Sequence, residues 1–372
     1  MRHRLLLTVL LLAALSFHLP AADSTQASPA FDRISKAATQ ARTENRISDA
    51  IGIYRQALKL RPAWPEGWWF LGELLYDQDQ YAQARDALRR LIDLDRKSGP
   101  GFALLGLCEF ETKDYAKSLQ HIFEARRLGL GDDPDVNRVV LFHEALLLIR
   151  TGQFEPAERV LEKVLKDGGE GQSVTIAAGL AGLRRPIFPE ELPPADQDLV
   201  ELAGRAFCAS ILRSPEEAQK SFAELLAKYP SAPNVHYFYA SFISATDRDA
   251  GLREFLRETE LNPKHAPALA SVALEYEARG EPDKAIAYAR RAVEADPSYF
   301  AAHAVLGKLL TDAGEPEKGI KELEIARQQA ADSPQVHFSL AAAYAMAGRK
   351  ADAERERAEF VRLKQWVDDT SK

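Results

Sequence analysis

The sequence of 372 residues contains only two cysteines, Cys108 and Cys208. Small secreted domains that depend on disulfides use many more, which excludes a disulfide-stapled fold. We expect both cysteines to serve as small apolar residues on helix faces. The stability of the protein must then come from a hydrophobic core, for which a composition of 46% apolar and 28% charged residues supplies enough material.

The short motifs that mark common catalytic and metal sites are also missing. The sequence has no CxxC, HExxH, GxSxG or GxxxxGK[ST] pattern. Its carboxylates are numerous, but on helices such residues ordinarily form the solvated face. We therefore expect no enzymatic activity, no catalytic residues, no cofactor and no bound metal.

Positive charge is not in excess. The net charge is −7, and it becomes −9 if Arg2 and Arg4 are removed with the N-terminal segment described below. Nucleic acid and anionic lipid surfaces are bound by basic patches, so neither is an expected partner.

The first 22 residues differ from the rest of the chain. Arg2 and Arg4 precede an apolar run over residues 5–15, and the residues Pro-Ala-Ala follow at 20–22. This pattern predicts a secretory signal peptide over residues 1–22, because the run is too short for a membrane span. The cleavage zone is weakly specified, so an uncleaved N-terminal anchor is an alternative.

A seven-residue segment occurs twice in the chain. GEPDKAI at residues 280–286 returns 34 residues later as GEPEKGI at residues 314–320. Glycine is favoured just past the end of a helix and proline in the first turn of the next, so GEP predicts a helix-to-helix turn. A small residue at the same place recurs at intervals of 34, 34, 39, 61, 33, 34, 34 and 34 residues. Its positions are Ala50, Ala84, Ser118, Ala157, Ala218, Gly251, Ala285, Gly319 and Ala353.

A small side chain at one fixed place lets two antiparallel helices approach closely. The helix before it carries its own periodic apolar residues. In residues 68–88 the combined set is Trp68, Leu71, Gly72, Leu75, Tyr81, Ala84 and Leu88. This set resembles the tetratricopeptide repeat, whose pattern is W-x2-L-G-x2-Y, then A-x3-F, then P, with Leu75 in the place of the tyrosine. The resemblance covers nearly all of residues 31–365.

The resemblance implies an all-α fold, a right-handed α-α superhelix or solenoid of about nine helix-turn-helix repeats with one irregular insertion. We predict an N-terminal array of about four repeats over residues 23–166, a C-terminal array of about five over residues 199–365, and a polar tail at residues 366–372. A signal peptide followed by such an array is typical of bacterial proteins, so we expect an exported protein of the cell envelope, periplasmic or secreted. We also expect a monomer.

The insertion at residues 167–198 breaks the regular spacing, since one interval of 61 exceeds a repeat by 27 residues. It contains a glycine-rich turn at 167–173, an apolar stretch at 174–184 that predicts a short helix, and four prolines within 186–194. We interpret the insertion as a surface strap over an apolar seam. The alternatives are a lid over the groove and a domain boundary.

Two charged residues beside the insertion, Glu144 and Arg205, stand where the repeat pattern expects leucine. A lone buried charge is costly, so each must reach water or find a partner. We expect both side chains to reach solvent rather than to pair with each other.

His303 and His337 occupy the same repeat position, 34 residues apart. Neighbouring helices hold equivalent residues about 8 to 10 Å apart or more, which is awkward for joint zinc ligation. We interpret both histidines as half-buried aromatic substitutes for the tryptophan of the repeat pattern.

The resemblance also implies that the first helices of the repeats line a concave groove. Its predicted groove-facing residues are aromatic, namely Trp69, Tyr76, Phe110, Phe142, Phe207 and Phe338. Aromatic anchors in a concave surface commonly bind extended or helical peptides. The sequence thus predicts a non-enzymatic scaffold that binds a protein or peptide segment in an apolar groove.

Two alternatives remain at this point. The aromatic rings could pack between adjacent helices and never meet a ligand. The protein could instead be a structural or regulatory module whose groove is filled by its own proline-rich insertion and which associates through its end repeats.

Overall fold

A computed structural model describes the backbone of residues 29–370 and the side chains of residues 29–365. Over this range every regular element is helical, with nineteen α-helices, two short 3-10 helices and no strand. The predicted all-α fold of helix-turn-helix repeats is confirmed. The predicted signal peptide at residues 1–22 lies outside the described residues.

The chain divides into two compact units, Met1–Leu148 and Ile149–Lys372. The helices that begin in the first unit are α1 (Pro29–Thr43), α2 (Ile47–Leu60), α3 (Pro65–Asp77), α4 (Tyr81–Leu94), α5 (Gly99–Glu111), α6 (Tyr115–Leu128) and α7 (Pro134–Arg150). Within this unit α1 pairs with α2, α3 with α4, and α5 with α6, and one continuous apolar core runs through the pairs.

The second unit contains the remaining twelve α-helices of the described range. They are α8 (Phe154–Lys166), α9 (Gln172–Gly182), α10 (Gln197–Ile211), α11 (Pro215–Lys228), α12 (Val235–Ile243), α13 (Arg248–Leu261), α14 (Ala266–Ala278), α15 (Pro282–Ala295), α16 (Phe300–Asp312), α17 (Pro316–Gln329), α18 (Pro334–Met346) and α19 (Lys350–Thr370). Successive pairs from α10/α11 to α18/α19 pack together. The division of the repeats into arrays at residues 23–166 and 199–365 stays a prediction.

The two GEP segments form the turns that the sequence predicts. Gly280 and Gly314 adopt positive φ angles of 71° and 82°, a conformation that favours glycine. Pro282 and Pro316 are the first residues of α15 and α17. The repeated sequence is thus the punctuation between the two helices of a repeat.

The small residues allow the close helix packing that their spacing implies. All nine are buried, and each lies on a helix. One such contact joins α16 and α17, where a Cβ atom added to Gly319 would lie 2.6 Å from the carbonyl oxygen of Gly307 and would also meet the hydroxyl of Thr311. A larger side chain at Gly319 would force these helices apart.

The irregular insertion contains α9, which overlaps the apolar stretch at residues 174–184. Its Gly179 faces the backbone of Val200 on α10, and Gly204 on α10 faces the backbone of Thr175. Two glycines therefore bring α9 and α10 into backbone contact.

The proline-rich segment after α9 is tied to the second unit. Its Phe188 is only 2% exposed, and the guanidinium of Arg150 lies 5.4 Å from the Phe188 ring centre. Arg150 Nη1 also donates to the carbonyl oxygen of Pro186 at 3.1 Å and to Glu191 Oε2 at 3.0 Å. Polar and apolar contacts together fix this segment over residues 186–191.

Candidate functional site

The predicted groove residues of the first unit lie on α3, α5 and α7 and differ in exposure. Tyr76 is buried, with 7% of its surface exposed, and its ring contacts that of Tyr81. Trp69, Phe110 and Phe142 are partly buried. The fold thus covers the Tyr76 ring and leaves part of each of the other three rings accessible.

His143 brings two of these rings together. Its ring centre is 4.7 Å from that of Phe110 and 6.1 Å from that of Phe142, both in edge-to-face geometry. The His143 Nδ1 atom is 2.7 Å from the carbonyl oxygen of Val139, which fixes the imidazole on α7. Phe110, Phe142 and His143 form an aromatic group that the sequence pattern did not single out, because it had identified only the two phenylalanines.

The two predicted residues of the second unit lie in opposite environments. Phe207 on α10 is 6% exposed and belongs to the packed interior, whereas Phe338 on α18 is 53% exposed. The Phe338 ring still rests on one side against Phe360, at 5.4 Å between ring centres. Of the six predicted residues, Phe338 presents the largest exposed fraction, and the binding role of the set stays a prediction.

Glu73 lies between Trp69 and Tyr76 on α3, one turn from each. Burial raises the pKa of Glu73 to about 7, the negative charge of Asp77 adds to the rise, and the positive charge of Arg42 opposes it. The sequence predicts that carboxylates on the helices are solvated. The Glu73 carboxyl is instead half ionised near neutral pH, and it lies one helical turn from Trp69, which is partly exposed. Perturbed carboxyl groups of this kind are enriched at functional sites.

Glu144 corrects an expectation from the sequence. It is 1% exposed and does not reach solvent, because Arg126 Nη1 on α6 donates to its Oε1 at 2.6 Å. Burial raises the pKa of Glu144, and the charge of Arg126 opposes that rise. Arg205 is exposed, as expected. Cys108 is buried and Cys208 partly buried, and neither forms a disulfide, in agreement with their interpretation as apolar residues.

The second unit contains a group of polar and aromatic side chains that the sequence did not reveal. We call it the Arg184 cluster. It comprises Glu155, Glu158, Arg184, Tyr237, His265 and Tyr299, which come from α8, the turn after α9, α12 and the residues just before α14 and α16.

Arg184 holds the centre of this cluster. Its Nη1 atom donates to Glu155 Oε1 at 2.6 Å, and its side chain is 14% exposed. The guanidinium carbon lies 4.8 Å from the ring centre of Phe154 and 5.6 Å from that of Tyr237. The cation is therefore held by one carboxylate and two aromatic faces.

Glu158 follows Glu155 by three residues on α8 and so lies on the same helix face. Burial raises the pKa of Glu158 to about 7, and the negative charge of Glu155 adds to this rise, while Arg184 and Arg159 oppose it. In the part of the chain that the structure describes, the Glu158 carboxyl has no hydrogen-bond or ion-pair partner. It is the one carboxyl group of the cluster whose charge is left without a direct counterion there.

Tyr237 and His265 form the next part of the cluster, with ring centres 4.9 Å apart. Burial raises the pKa of Tyr237 to about 12. The pKa of His265 is lowered to about 4, first by burial and then by the charge of Arg184, so the imidazole is neutral at pH 7. His265 Nδ1 accepts the backbone N–H of Ala268 at 2.9 Å, and its Nε2 contacts Asn234 Oδ1.

Tyr299 completes the cluster. Its pKa is raised, first by burial and then by the nearby Tyr237 and Glu155. The hydroxyl groups of both tyrosines are thus neutral at physiological pH and able to donate or accept hydrogen bonds. Residues 155 and 299 are more than 140 positions apart, which explains why no local sequence pattern predicts their proximity.

Comparison with known proteins gives the repeat family. Models of the tetratricopeptide repeat match residues 35–99, 241–300 and 276–344. These segments match the tetratricopeptide repeat, and the described part of the chain is built from helix-turn-helix repeats similar to it. Repeats of this family imply a protein-protein interaction scaffold.

A curated relative is similar over a short part of its length. Protein O-mannosyl-transferase TMTC3 of Homo sapiens is 25% identical over 122 residues, which are 33% of this chain and 13% of that protein. The chain thus spans only a small part of the length of this relative.

Two solved structures share a limited similarity with the chain. The crystal structure of MamA protein gives a TM-score of 0.38 at 15% identity, covering 45% of this chain and 92% of that chain. The APC/C hetero-tetramer Cut9-Hcn1 gives a TM-score of 0.37 at 13% identity, covering 91% of this chain and 80% of that chain.

Metal binding and membrane insertion are two further possibilities for the described residues. No three metal-binding side chains lie close enough together there to hold an ion. None of the helices in this range is long and apolar enough to cross a bilayer.

Proposed function

We propose that the protein is a non-enzymatic scaffold that binds a segment of another protein against the first helices of its repeats. The observation that carries this proposal is the incomplete burial of aromatic rings on those helices. Phe338 exposes half of its surface. Trp69 and Phe142 are partly exposed, although other apolar side chains of the same helices are buried. Accessible aromatic side chains are the residues that most often anchor a partner.

The place of action that we propose is the cell envelope or the exterior of a bacterium. The support is the pattern of residues 1–22, in which two arginines precede a short apolar run and a small-residue segment. A protein exported in this way would meet a partner in the periplasm or outside the cell.

Site-directed photo-crosslinking tests the binding proposal. A photoreactive phenylalanine analogue is placed at Trp69, Phe142 or Phe338, one position at a time, and the protein is irradiated in the cells that produce it. A matched control carries the analogue at Leu60, which is 52% exposed and lies on α2, the second helix of its repeat. We expect the same partner to be cross-linked from the first-helix positions and not from Leu60.

Two results would contradict the proposal. One is the absence of any adduct from all three first-helix positions while the variants keep their helical circular dichroism. The other is an adduct of equal yield from Leu60, which would place the contact on the second helices. A double variant, Trp69→Ala with Phe142→Ala, should lose the partner in an affinity capture but remain folded.

A further inference from the structure

We propose that the Arg184 cluster binds a cationic side chain, lysine or arginine, of the bound protein segment, with Glu158 as the counterion. This inference rests on the proposed function, because the cation would belong to the partner. It adds the chemistry of one contact, which the aromatic residues alone do not specify.

The first argument is the balance of charge in the cluster. Arg184 is paired with Glu155 at 2.6 Å, so one positive charge already meets one negative charge. Glu158 remains without a direct partner within the described residues, and His265 is neutral near pH 7 because its pKa is lowered to about 4. Arg159, the next residue on α8, is exposed and lowers the pKa of Glu158 without forming an ion pair with it in the described residues, so the carboxylate itself can accept one additional positive charge.

The same balance argues against an anionic ligand. Such a ligand would approach two carboxyl groups, Glu155 and Glu158, on the same face of α8, and the cation at the centre of the cluster, Arg184, is already paired with Glu155. The pKa of Glu158 is already raised to about 7, first by burial and then by the charge of Glu155, so a further negative charge beside it is disfavoured.

The second argument is that the cluster already accommodates a cation on aromatic faces. The Arg184 guanidinium lies over Phe154 and Tyr237, at 4.8 and 5.6 Å from their ring centres. Tyr299 lies near enough to Tyr237 and Glu155 for their charges to raise its own pKa. A second cation beside Glu158 would therefore meet the same kind of surroundings, a carboxylate with tyrosine side chains nearby.

Cation binding at Glu158 has a consequence that can be measured. Because the free carboxyl is half protonated near neutral pH, a cation that binds the ionised form must displace the proton. The affinity should then rise with pH, by about ten-fold between pH 6 and pH 8 for one group with a pKa near 7. A cation that binds elsewhere on the surface would show no such dependence.

The test uses two end-blocked tripeptides, glycine-arginine-glycine and its neutral isostere glycine-citrulline-glycine. Binding to the purified full chain is followed by saturation-transfer NMR up to 20 mM at pH 8 and pH 6. We expect saturable binding of the arginine peptide, about ten-fold tighter at pH 8, and no binding of the citrulline peptide.

Two variants on α8 locate the contact. Glu158→Gln removes the charge with little change of shape, and we expect it to weaken binding of the arginine peptide at least ten-fold and to abolish the pH dependence. Glu162→Gln is the matched control, because Glu162 is partly exposed and already pairs with Lys166 on the same helix. It should bind as the unmodified protein does.

The inference is overturned if the unmodified protein binds neither peptide up to 20 mM, or if Glu158→Gln leaves arginine binding unchanged. The pH profile of the unmodified protein tests the inference even if the variant fails to fold. If this test fails while photo-crosslinking from Trp69 or Phe338 still captures a partner, the scaffold function stands and only the cationic contact is wrong. If the crosslinks fail as well, the proposed function itself is wrong.

Discussion

Trp68 and His303 make the same hydrogen bond in different units of the protein. Trp68 Nε1 donates to the carbonyl oxygen of Pro62 at 2.8 Å, and His303 Nε2 lies 3.1 Å from the carbonyl oxygen of Pro297. In both cases the ring nitrogen bonds the carbonyl six residues earlier. The interpretation of His303 as a substitute for the repeat tryptophan is confirmed, although the residue is buried, at 5% exposure, rather than half-buried.

The histidine adds a second bond that tryptophan lacks. His303 Nδ1 is 2.7 Å from Glu322 Oε2 on α17, so one imidazole connects the preceding loop, α16 and α17. His337 repeats the arrangement with Glu356 and the carbonyl oxygen of Ala331, at 2.5 and 2.9 Å. The histidines therefore act as structural ties within their repeats.

The first prediction follows from this tie. His303→Ala removes both bonds and leaves a buried gap, so we expect the free energy of unfolding to fall by about 2 to 3 kcal/mol. Urea unfolding followed by circular dichroism measures the change. Lys321→Ala, at an exposed neighbour of Glu322, should change stability by less than about 0.5 kcal/mol. Equal effects of the two substitutions would show that the tie contributes nothing.

The second prediction compares two helical glycines. Gly319→Ala places a Cβ atom 2.6 Å from the Gly307 carbonyl oxygen, so α16 and α17 must move apart, at a cost of about 1 to 3 kcal/mol. Gly52 on α2 has no atom within 4 Å of an added Cβ, so Gly52→Ala should stabilise by about 0.5 to 1 kcal/mol through helix propensity. Thermal unfolding should give opposite signs, and stabilisation by Gly319→Ala would refute the close-packing argument.

The third prediction concerns pH. The pKa of Glu73 in the folded protein is raised by burial to about 7 from its ordinary value of 4.5, so the folded state binds this proton more tightly than the unfolded state. The contribution is fully present below about pH 4.5 and is lost as pH rises through 7. Glutamine resembles the protonated carboxyl, and Glu73→Gln should therefore add about 1 to 2 kcal/mol at pH 8 and little at pH 5.

Tryptophan fluorescence suits this measurement because three of the four tryptophans, Trp64, Trp68 and Trp69, lie in the first unit with Glu73. Asp93→Asn, at an exposed carboxylate on α4, is the control and should change stability by a similar small amount at both pH values. A Glu73→Gln effect that does not vary with pH would mean that the carboxyl is already ionised or already solvated.

The fourth prediction distinguishes a fixed strap from a mobile lid. Phe188 is 2% exposed, so Phe188→Ala should destabilise the second unit by about 3 to 4 kcal/mol if the segment is part of the core. Glu190→Ala, at an exposed neighbour, should be neutral. Urea unfolding gives the stability, and binding of an apolar dye reports any newly exposed surface. Unchanged stability with increased dye binding would instead favour the lid.

The sequence by itself determined the helical repeats. Nine small residues at a nearly constant spacing and two copies of GEP predict paired helices, because a turn and a close helix contact depend on residues a few positions apart or one repeat apart. The position of His303 in place of a tryptophan could be read in the same way. Such contacts recur wherever the local pattern recurs.

Only the tertiary structure decided which side chains are covered and which charges meet. Phe207 and Phe338 both fit the groove pattern, yet one is buried and the other is 53% exposed. Glu144 pairs with Arg126 on the helix before its own, and Glu155 pairs with Arg184 in the turn that follows α9. The exposure of a side chain and its electrostatic partners depend on whatever packs against it from distant parts of the chain, and repeat spacing does not encode those contacts.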